Sequence, residues 1–242
     1  MQKFEVNQRE LDYSVRESYK TLRTNITFSG DDVKVIAITS ATPGEGKSTT
    51  AFELAQSFAQ AGKRTLLVDA DLRRSVMKSR YKKGRIKYGL VNYLVGQKNF
   101  ADVLCATDVP NFYMVFSGPV PPNPSELLGN SRFEAMIDES AKSFDMVIID
   151  TPPIGSVIDA AVISKKCNGM VVVMEAGAIK YQFAKKIKTQ LEAANVRVLG
   201  VVLNKVNFKK NSYYGKYYGK YYGKYYGKDA EYTADKKAEE KN

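Results

Sequence analysis

The chain has 242 residues and a net charge of +11, and 44% of its residues are hydrophobic, which is ordinary for a globular protein with a buried core. It contains no histidine. This excludes His-assisted nucleophilic catalysis and His-ligated metal sites, so acid–base chemistry must rest on Asp, Glu, Lys or Tyr.

The cysteines and the apolar runs predict a cytoplasmic protein. Cys105 and Cys167 form no motif, and two isolated thiols fit a reducing compartment better than a disulfide framework. The apolar runs have the length of strands and fall well short of the roughly 20 residues that a membrane span needs. Residues 1–5 contain no apolar stretch that resembles a signal peptide.

Residues 1–30 come first in the chain and are predicted to be helical in part. Glu17, Lys20 and Arg23 follow one another at three-residue steps, which places them along one face of a helix. Taken alone, this pattern is typical of a solvent-exposed face with one ion pair. Turn-forming residues at 29–32 end the segment.

The next stretch predicts a phosphate-binding loop between a strand and a helix. Residues 33–39 are apolar and β-branched, as in a strand buried on both faces, and residues 47–61 have apolar side chains at helical spacing. Gly44 and Gly46 lie in the turn between them. Such a turn presents backbone N–H groups and the positive end of the helix dipole to an anion.

Two residues at the start of that helix carry the chemistry of the loop. Lys47 supplies a positive charge for phosphate, and Ser48 supplies a hydroxyl for Mg²⁺. This is a pattern of the Walker A type. It departs from the usual form at Ala41, where glycine is expected.

Strands and helices then alternate as far as residue 204. The remaining predicted strands are 64–69, 111–117, 145–150, 169–175 and 198–204, and the remaining helices are 88–96, 125–143 with Ser125 as its cap, 158–166 and 180–194. Repeated alternation predicts one α/β domain of the P-loop NTPase kind, with a mostly parallel sheet and helices on both of its faces.

Two segments are rich in lysine and arginine. Residues 78–87 are the densest basic run of the domain, and a solvated loop is favoured there over a binding patch. Residues 209–242 contain nine lysines and five acidic residues, a net charge of +4, and repeat Tyr-Tyr-Gly-Lys four times. Because the repeat has no aliphatic residue to bury, the tail is predicted to be disordered when free.

Acidic residues follow two predicted strands at the edge of the sheet where the loop lies. Asp150 closes one strand and is placed to hold Mg²⁺, while Asp69 and Asp71 follow another. Ligands of open α/β sheets bind at the carboxyl ends of the strands. The alternative for each aspartate is a helix N-cap, which the phosphate-binding loop at the same edge makes less favourable.

Three motifs resemble those of the bacterial tyrosine kinases (BY-kinases) of capsule and exopolysaccharide operons, the CpsD-like proteins. They are Walker A, A′ and B motifs at 40–48, 66–73 and 147–153, of which A′ is the distinguishing one. Glu17 and Arg23 match the family's Glu-x-x-Arg-x-x-Arg oligomerisation motif, with Lys20 in place of the first Arg. The Tyr-Tyr-Gly-Lys repeat is similar to the family's autophosphorylation cluster. The resemblance spans essentially the whole chain.

The resemblance implies an autophosphorylating protein-tyrosine kinase that uses ATP and Mg²⁺. Nucleotide contacts would come from Pro43, Gly44, Glu45, Gly46, Lys47, Ser48, Thr49 and Asn204. The metal would be held by Ser48, Asp71 and Asp150. The catalytic set would be Lys47, Asp69, Asp71 and Asp150, with Asp69 or Asp71 accepting the tyrosine proton. The phosphate acceptors, reached in trans, would be Tyr213, Tyr214, Tyr217, Tyr218, Tyr221, Tyr222, Tyr225 and Tyr226.

The resemblance also implies partners, a location and a domain division. A separate transmembrane adaptor of the polysaccharide co-polymerase type would activate the kinase and recruit it to the inner face of the membrane. Glu17, Lys20 and Arg23 would support self-association into a ring, and a cognate tyrosine phosphatase would oppose the kinase. The divisions would be an N-terminal segment at 1–30, a kinase domain at 31–208 and a tyrosine-rich tail at 209–242.

Two other functions fit parts of the sequence. A positioning ATPase of the MinD/ParA type would share the loop, but its signature lysine is replaced here by Thr42 and it has no tyrosine tail. A nucleic-acid-binding module would use the basic and aromatic repeat, but no nucleic-acid-binding fold signature accompanies that repeat. We therefore favour the kinase and expect no nucleic-acid partner.

Overall fold

The computed structural model describes residues 1–7, 10–83, 85–155 and 158–206. Residues 1–204 form one compact unit, which includes the predicted N-terminal segment 1–30. Residues 205–242 are a second unit, and only its first two residues are described. The predicted disorder of the tail and its eight repeat tyrosines therefore lie outside the described residues.

The described residues form nine strands and nine helices. The strands are β1 Gln2–Val6, β2 Val35–Ser40, β3 Thr65–Asp69, β4 Lys82–Lys83, β5 Cys105–Thr107, β6 Phe112–Val115, β7 Met146–Asp150, β8 Gly169–Glu175 and β9 Val198–Asn204. The helices are α1 Tyr13–Thr27, α2 Lys47–Gln60, α3 Met77–Tyr81, α4 Leu90–Leu94, α5 Phe100–Val103, α6 Pro124–Leu128, α7 Ser131–Ser143, α8 Asp159–Ser164 and α9 Tyr181–Ala193. None of the helices in these ranges is both long and apolar enough to cross a bilayer.

The strands form one mostly parallel sheet in the order β4-β1-β5-β6-β3-β7-β2-β8-β9. Only the pairs β1–β4 and β5–β6 are antiparallel. Successive side chains of β2 enter two separate cores: Val35 and Ala37 pack in one and Ile36 and Ile38 in the other. The predicted fold class is confirmed. Because β2, β3 and β7 are adjacent, the loops that follow them meet at one edge of the sheet.

The edge of the sheet opposite β9 differs from the sequence-based prediction. Strand β1 lies in the segment that was predicted to be helical in part, and β4 lies in the basic run 78–87. The prediction of a solvated loop is wrong for the start of that run, because α3 ends on Tyr81, whose side chain is buried. The Tyr81 ring stacks on Phe52 of α2 with the ring centroids 3.7 Å apart.

The predicted helix 125–143 is in fact two helices, α6 and α7. The helical conformation is interrupted at residues 129–130. Asn130 caps α7 by accepting a hydrogen bond from the Phe133 N–H at 2.9 Å. Ser125 is not a cap, because α6 begins one residue earlier, at Pro124. Its hydroxyl instead donates to the carboxylate of Asp159, at the start of α8.

Candidate active site

The loop between β2 and α2 has the backbone of an anion-binding turn. Gly44 and Gly46 have φ angles of +89° and +95°, a region that other residues rarely adopt. A Cβ at Gly46 would lie 2.1 Å from the side-chain nitrogen of Asn204, so a larger residue there would also collide. The first N–H groups of α2 have no partner within the helix and are available to an anion.

The buried Glu45 side chain stabilises this loop through hydrogen bonds. It is 2% exposed, and its two carboxylate oxygens accept hydrogen bonds from the backbone N–H groups of Thr42 at 2.6 Å and Glu175 at 3.1 Å. The Asn204 amide donates to the Glu45 carbonyl at 2.8 Å. These bonds tie the loop to the ends of β8 and β9. The nucleotide contacts predicted for Glu45 and Asn204 stay predictions.

Replacing Glu45 by Gln is expected to lower the free energy of unfolding by about 1 kcal/mol, because the amide NH₂ cannot accept a hydrogen bond and leaves one partly buried backbone N–H unpaired. Urea unfolding measures the change. Glu5→Gln, at an exposed position of β1, is the matched control and should have little effect. Equal stability of Glu45→Gln and the unsubstituted protein would contradict the proposed role of the Glu45 carboxylate.

Lys47 lies between two carboxylates at the base of the loop. Its Nζ is 2.8 Å from Asp71 Oδ2, 3.5 Å from Asp150 Oδ1 and 3.1 Å from Ser48 Oγ. Burial alone would lower the pKa of Lys47, but the negative charges of Asp150 and Asp71 outweigh it and the pKa is raised. Lys47 is therefore positively charged at neutral pH. The structure brings these four predicted site residues together.

Asp69 and Asp150 are neighbours on the paired strands β3 and β7, and both are buried. Asp69 Oδ2 accepts hydrogen bonds from the Ser75 hydroxyl and the Ser117 N–H. Burial, followed by the charge of Asp150, raises the pKa of Asp69 to about 7. Burial also raises the pKa of Asp150, although Lys47 acts in the opposite direction.

The oxygen donors at the site fit the needs of Mg²⁺. This ion usually binds one or two protein carboxylates and completes its shell with phosphate oxygens and water. Ser48, Asp71 and Asp150 supply a hydroxyl and two carboxylates. Both oxygens of Asp150 are buried and accept no hydrogen bond of ordinary geometry from the described part of the chain, which suits them to a cation.

A cavity of about 470 Å³ opens over the loop and the carboxylate of Asp71. Predicted site residues that line it are Pro43, Gly44, Gly46, Lys47, Ser48, Thr49 and Asp71. Residues that the sequence-based site omits also line it, namely Arg73, Arg74, Val76, Arg80, Pro152 and Pro153. The predicted site residues Glu45, Asp69, Asp150 and Asn204 do not belong to the lining. Arg73 could have been found from sequence, because it is the last residue of the A′ motif.

Comparison with known proteins identifies the family. A family model described as an AAA domain matches residues 33–198. Tyrosine-protein kinase CpsD of Streptococcus agalactiae is 51% identical over 198 residues, which cover 81% of this chain and 86% of that protein. The chain belongs to the CpsD family of tyrosine-protein kinases. The family and enzyme class predicted from the motifs are confirmed.

Two solved structures with a similar fold differ in how closely they match this kinase. The chimerical protein CapA2B2 is 34% identical with a TM-score of 0.76, and the match covers 84% of this chain and 93% of that one. The septum site-determining protein MinD of Pyrococcus horikoshii, complexed with Mg-ADP, is 21% identical with a TM-score of 0.60 over 71% of this chain and 70% of that one. The similarity to MinD is distant and shows the fold alone.

The predicted oligomerisation residues lie on α1 of the kinase. Lys20 and Glu17 form an ion pair of 2.7 Å at the surface. The Arg23 side chain forms its hydrogen bonds within its own chain: it donates to the carbonyl and hydroxyl oxygens of Ser57 on α2, at 2.6 and 3.2 Å. Arg23 therefore helps to fix α1 against α2. Its part in a ring stays a prediction.

Proposed function

We propose that the kinase transfers the γ-phosphate of ATP to tyrosines of its own C-terminal repeat, between copies of the chain, and thereby regulates capsule or exopolysaccharide synthesis and export. The observation that carries this proposal is the position of Lys47 between Asp71 and Asp150 beneath an anion-binding loop. The same chain supplies eight tyrosines in a Tyr-Tyr-Gly-Lys repeat. Donor site and acceptor thus belong to one polypeptide.

The charged groups account for the transfer step. Lys47 would exchange its contact with Asp71 for the β- and γ-phosphates, and Mg²⁺ on Ser48, Asp71 and Asp150 would neutralise phosphate charge. The bond from γ-phosphorus to the bridging oxygen breaks, a bond to the tyrosine oxygen forms, and ADP leaves. The phenol has a pKa of about 10, so its proton must pass to a carboxylate. Asp69 or Asp71 would take this role, and of the two Asp71 lines the cavity.

Partners and location form part of the same proposal. Family membership supports a separate transmembrane adaptor that activates the kinase at the inner face of the membrane, a ring of kinase copies, and a cognate tyrosine phosphatase. Each phosphate adds a charge of about −1.5 to −2 at neutral pH. A few phosphates would therefore reverse the +4 charge of the tail, and repulsion between the tails would loosen the ring.

A mixing experiment tests transfer between copies of the chain. One chain has Lys47→Met with its tail intact, and the other has an unchanged site but lacks residues 209–242. With ATP and Mg²⁺, phosphotyrosine is expected on the Lys47→Met chain only when the second chain is present, at a rate that rises with the concentration of the second chain. Immunoblotting after separation by size measures it, with and without the cytoplasmic segment of the adaptor.

A Lys47→Met chain in which the eight repeat tyrosines are replaced by Phe is the control and should stay unlabelled. ATP hydrolysis without phosphotyrosine, even with the adaptor, would overturn the kinase proposal and favour a positioning ATPase. Phosphotyrosine on the unchanged full-length chain but none on the Lys47→Met chain in the mixture would mean that transfer occurs within one chain.

A further inference from the structure

Arg73 is held at the cavity wall by a buried carboxylate from another part of the fold. Its Nε donates to Asp159 Oδ2 at 2.7 Å and its Nη2 donates to Asp159 Oδ1 at 3.1 Å. Ser125 completes the arrangement, because its hydroxyl donates to Asp159 and accepts from Arg73 Nη2 at 3.1 Å. Two bonds to one carboxylate fix the plane of the guanidinium as well as its position.

The burial of the two partners is unequal. Asp159 is fully buried, whereas 39% of the Arg73 side chain is exposed. Burial alone would raise the pKa of Asp159, but the hydrogen bonds from Arg73 and Ser125 outweigh it and the pKa is lowered. A buried ion pair contributes little net stability compared with apolar packing. Stability is therefore a weak explanation for placing a carboxylate there.

Arg73 lines the same cavity as two of the predicted catalytic residues. Arg73 follows Asp71 by two residues, and both line the cavity together with Lys47. Its Nη1 makes no hydrogen bond with any residue that the structure describes. Arg73 thus offers one unused donor and a fixed positive charge beside the place where phosphate is expected.

We propose that Arg73 is a catalytic residue of phosphoryl transfer and that Asp159 and Ser125 are its positioning residues. In the transition state, as the γ-phosphorus leaves the bridging oxygen of ADP and joins the tyrosine oxygen, Arg73 stabilises the negative charge on the equatorial phosphoryl oxygens. The tyrosine proton goes to a carboxylate, so Arg73 gains and loses no proton. This inference rests on the kinase activity and does not depend on which tyrosines accept phosphate.

A donor that is fixed before the reaction lowers the barrier more than one that must be ordered during it. Arginines supplied from within the same chain play this part in other phosphoryl-transfer enzymes. Lys47 belongs to the loop that would hold the phosphates. Arg73 instead forms hydrogen bonds with Ser125 of α6 and Asp159 of α8. The two cations therefore approach the phosphates from different elements of the fold, and removing Arg73 should affect kcat more than nucleotide binding.

The test compares Arg73→Ala, Asp159→Asn and the double variant in the full-length protein. Single-turnover ADP formation and phosphotyrosine are measured with ATP and Mg²⁺, together with the affinity for ATP and the Tm. Arg73→Ala is expected to reduce the rate about 100-fold and Asp159→Asn about tenfold, each with ATP affinity changed less than about threefold. Glu134→Gln, which breaks an exposed ion pair to Lys166 just after α8, is the matched control and should retain the full rate.

The double variant separates catalysis from folding. Arg73→Ala leaves the Asp159 charge buried and unpaired, which lowers the Tm, and Asp159→Asn removes that charge. The double variant should therefore regain the Tm and remain about 100-fold slow. If it regains the full rate, or if its ATP affinity falls while kcat is unchanged, the proposal is overturned. ADP formation without phosphotyrosine in the unsubstituted protein would contradict the proposed function instead, and the ADP rates would still test Arg73.

Discussion

Replacing Lys47 by Met is expected to reduce phosphotyrosine formation by about 1,000-fold or more, because phosphoryl transfer depends almost entirely on positioning and on neutralising the charge of the phosphates. Lys47 is the charged residue of the anion-binding loop, and its ammonium is already placed between Asp71 and Asp150. Without it, the loop loses the cation that would bind the β- and γ-phosphates. Phosphotyrosine formation over time with ATP and Mg²⁺ measures the effect.

The same substitution is expected to lower the free energy of unfolding by about 3–5 kcal/mol at pH 8, because it leaves buried carboxylates without their counter-charge. The loss should be smaller at pH 5. Lys47 lowers the pKa of Asp150, so its removal raises that pKa further. A carboxyl with a raised pKa in the folded state destabilises the protein as pH rises from its unfolded pKa of about 4 through the folded value.

Lys188→Met is the matched control, because Lys188 also pairs with a carboxylate, that of Glu192, but at an exposed site on α9. It should change neither the activity nor the pH dependence of stability. Lys47→Arg keeps the charge and is expected to restore much of the stability. A Lys47→Met protein with full phosphotyrosine formation would contradict both the loop assignment and the proposed mechanism.

The central strands could be predicted from the sequence because they are continuous apolar runs. Strands β8 and β9 have the predicted bounds, and β2, β3 and β7 lie within two residues of them. The three short strands at the β4 side of the sheet, β1, β4 and β5, were missed. In β1, Phe4 and Val6 are buried and alternate with more exposed residues, so a period of two was present but brief. Strand β4 has only two residues and exists because β1 pairs with it.

The sequence likewise predicted only part of the candidate site. Motifs at strand ends predicted that Lys47, Asp71 and Asp150 would meet, because the order of parallel strands brings such ends together. The partner of Arg73 could not be found in this way, since Asp159 lies 86 residues away and its contact depends on how α8 packs. The inward direction of Glu45 depends on the backbone angles of its flanking glycines, which residue type alone does not specify.

Replacing Asp69 by Asn is expected to change how stability depends on pH. The folded pKa of Asp69 is about 7, against an ordinary value of 3.8. Between these values the folded state binds more protons than the unfolded state, so the free energy of unfolding falls as pH rises from about 4 to 7 and is then constant. The full difference amounts to about 4 kcal/mol. An asparagine side chain cannot ionise, so the variant should lack this decline.

Urea unfolding at several pH values in EDTA, without nucleotide, measures the effect. Relative to the unsubstituted protein, Asp69→Asn should gain stability between pH 5 and pH 7 and keep a constant difference above that, whatever it loses at pH 5 through changed bonds to Ser75 and Ser117. Asp138→Asn, at an exposed position of α7, is the control and should follow the unsubstituted curve. Parallel curves for Asp69→Asn and the unsubstituted protein would mean that Asp69 titrates alike in the folded and unfolded states. Its burial beside Asp150 would then not favour the protonated form of its carboxyl group in the folded state.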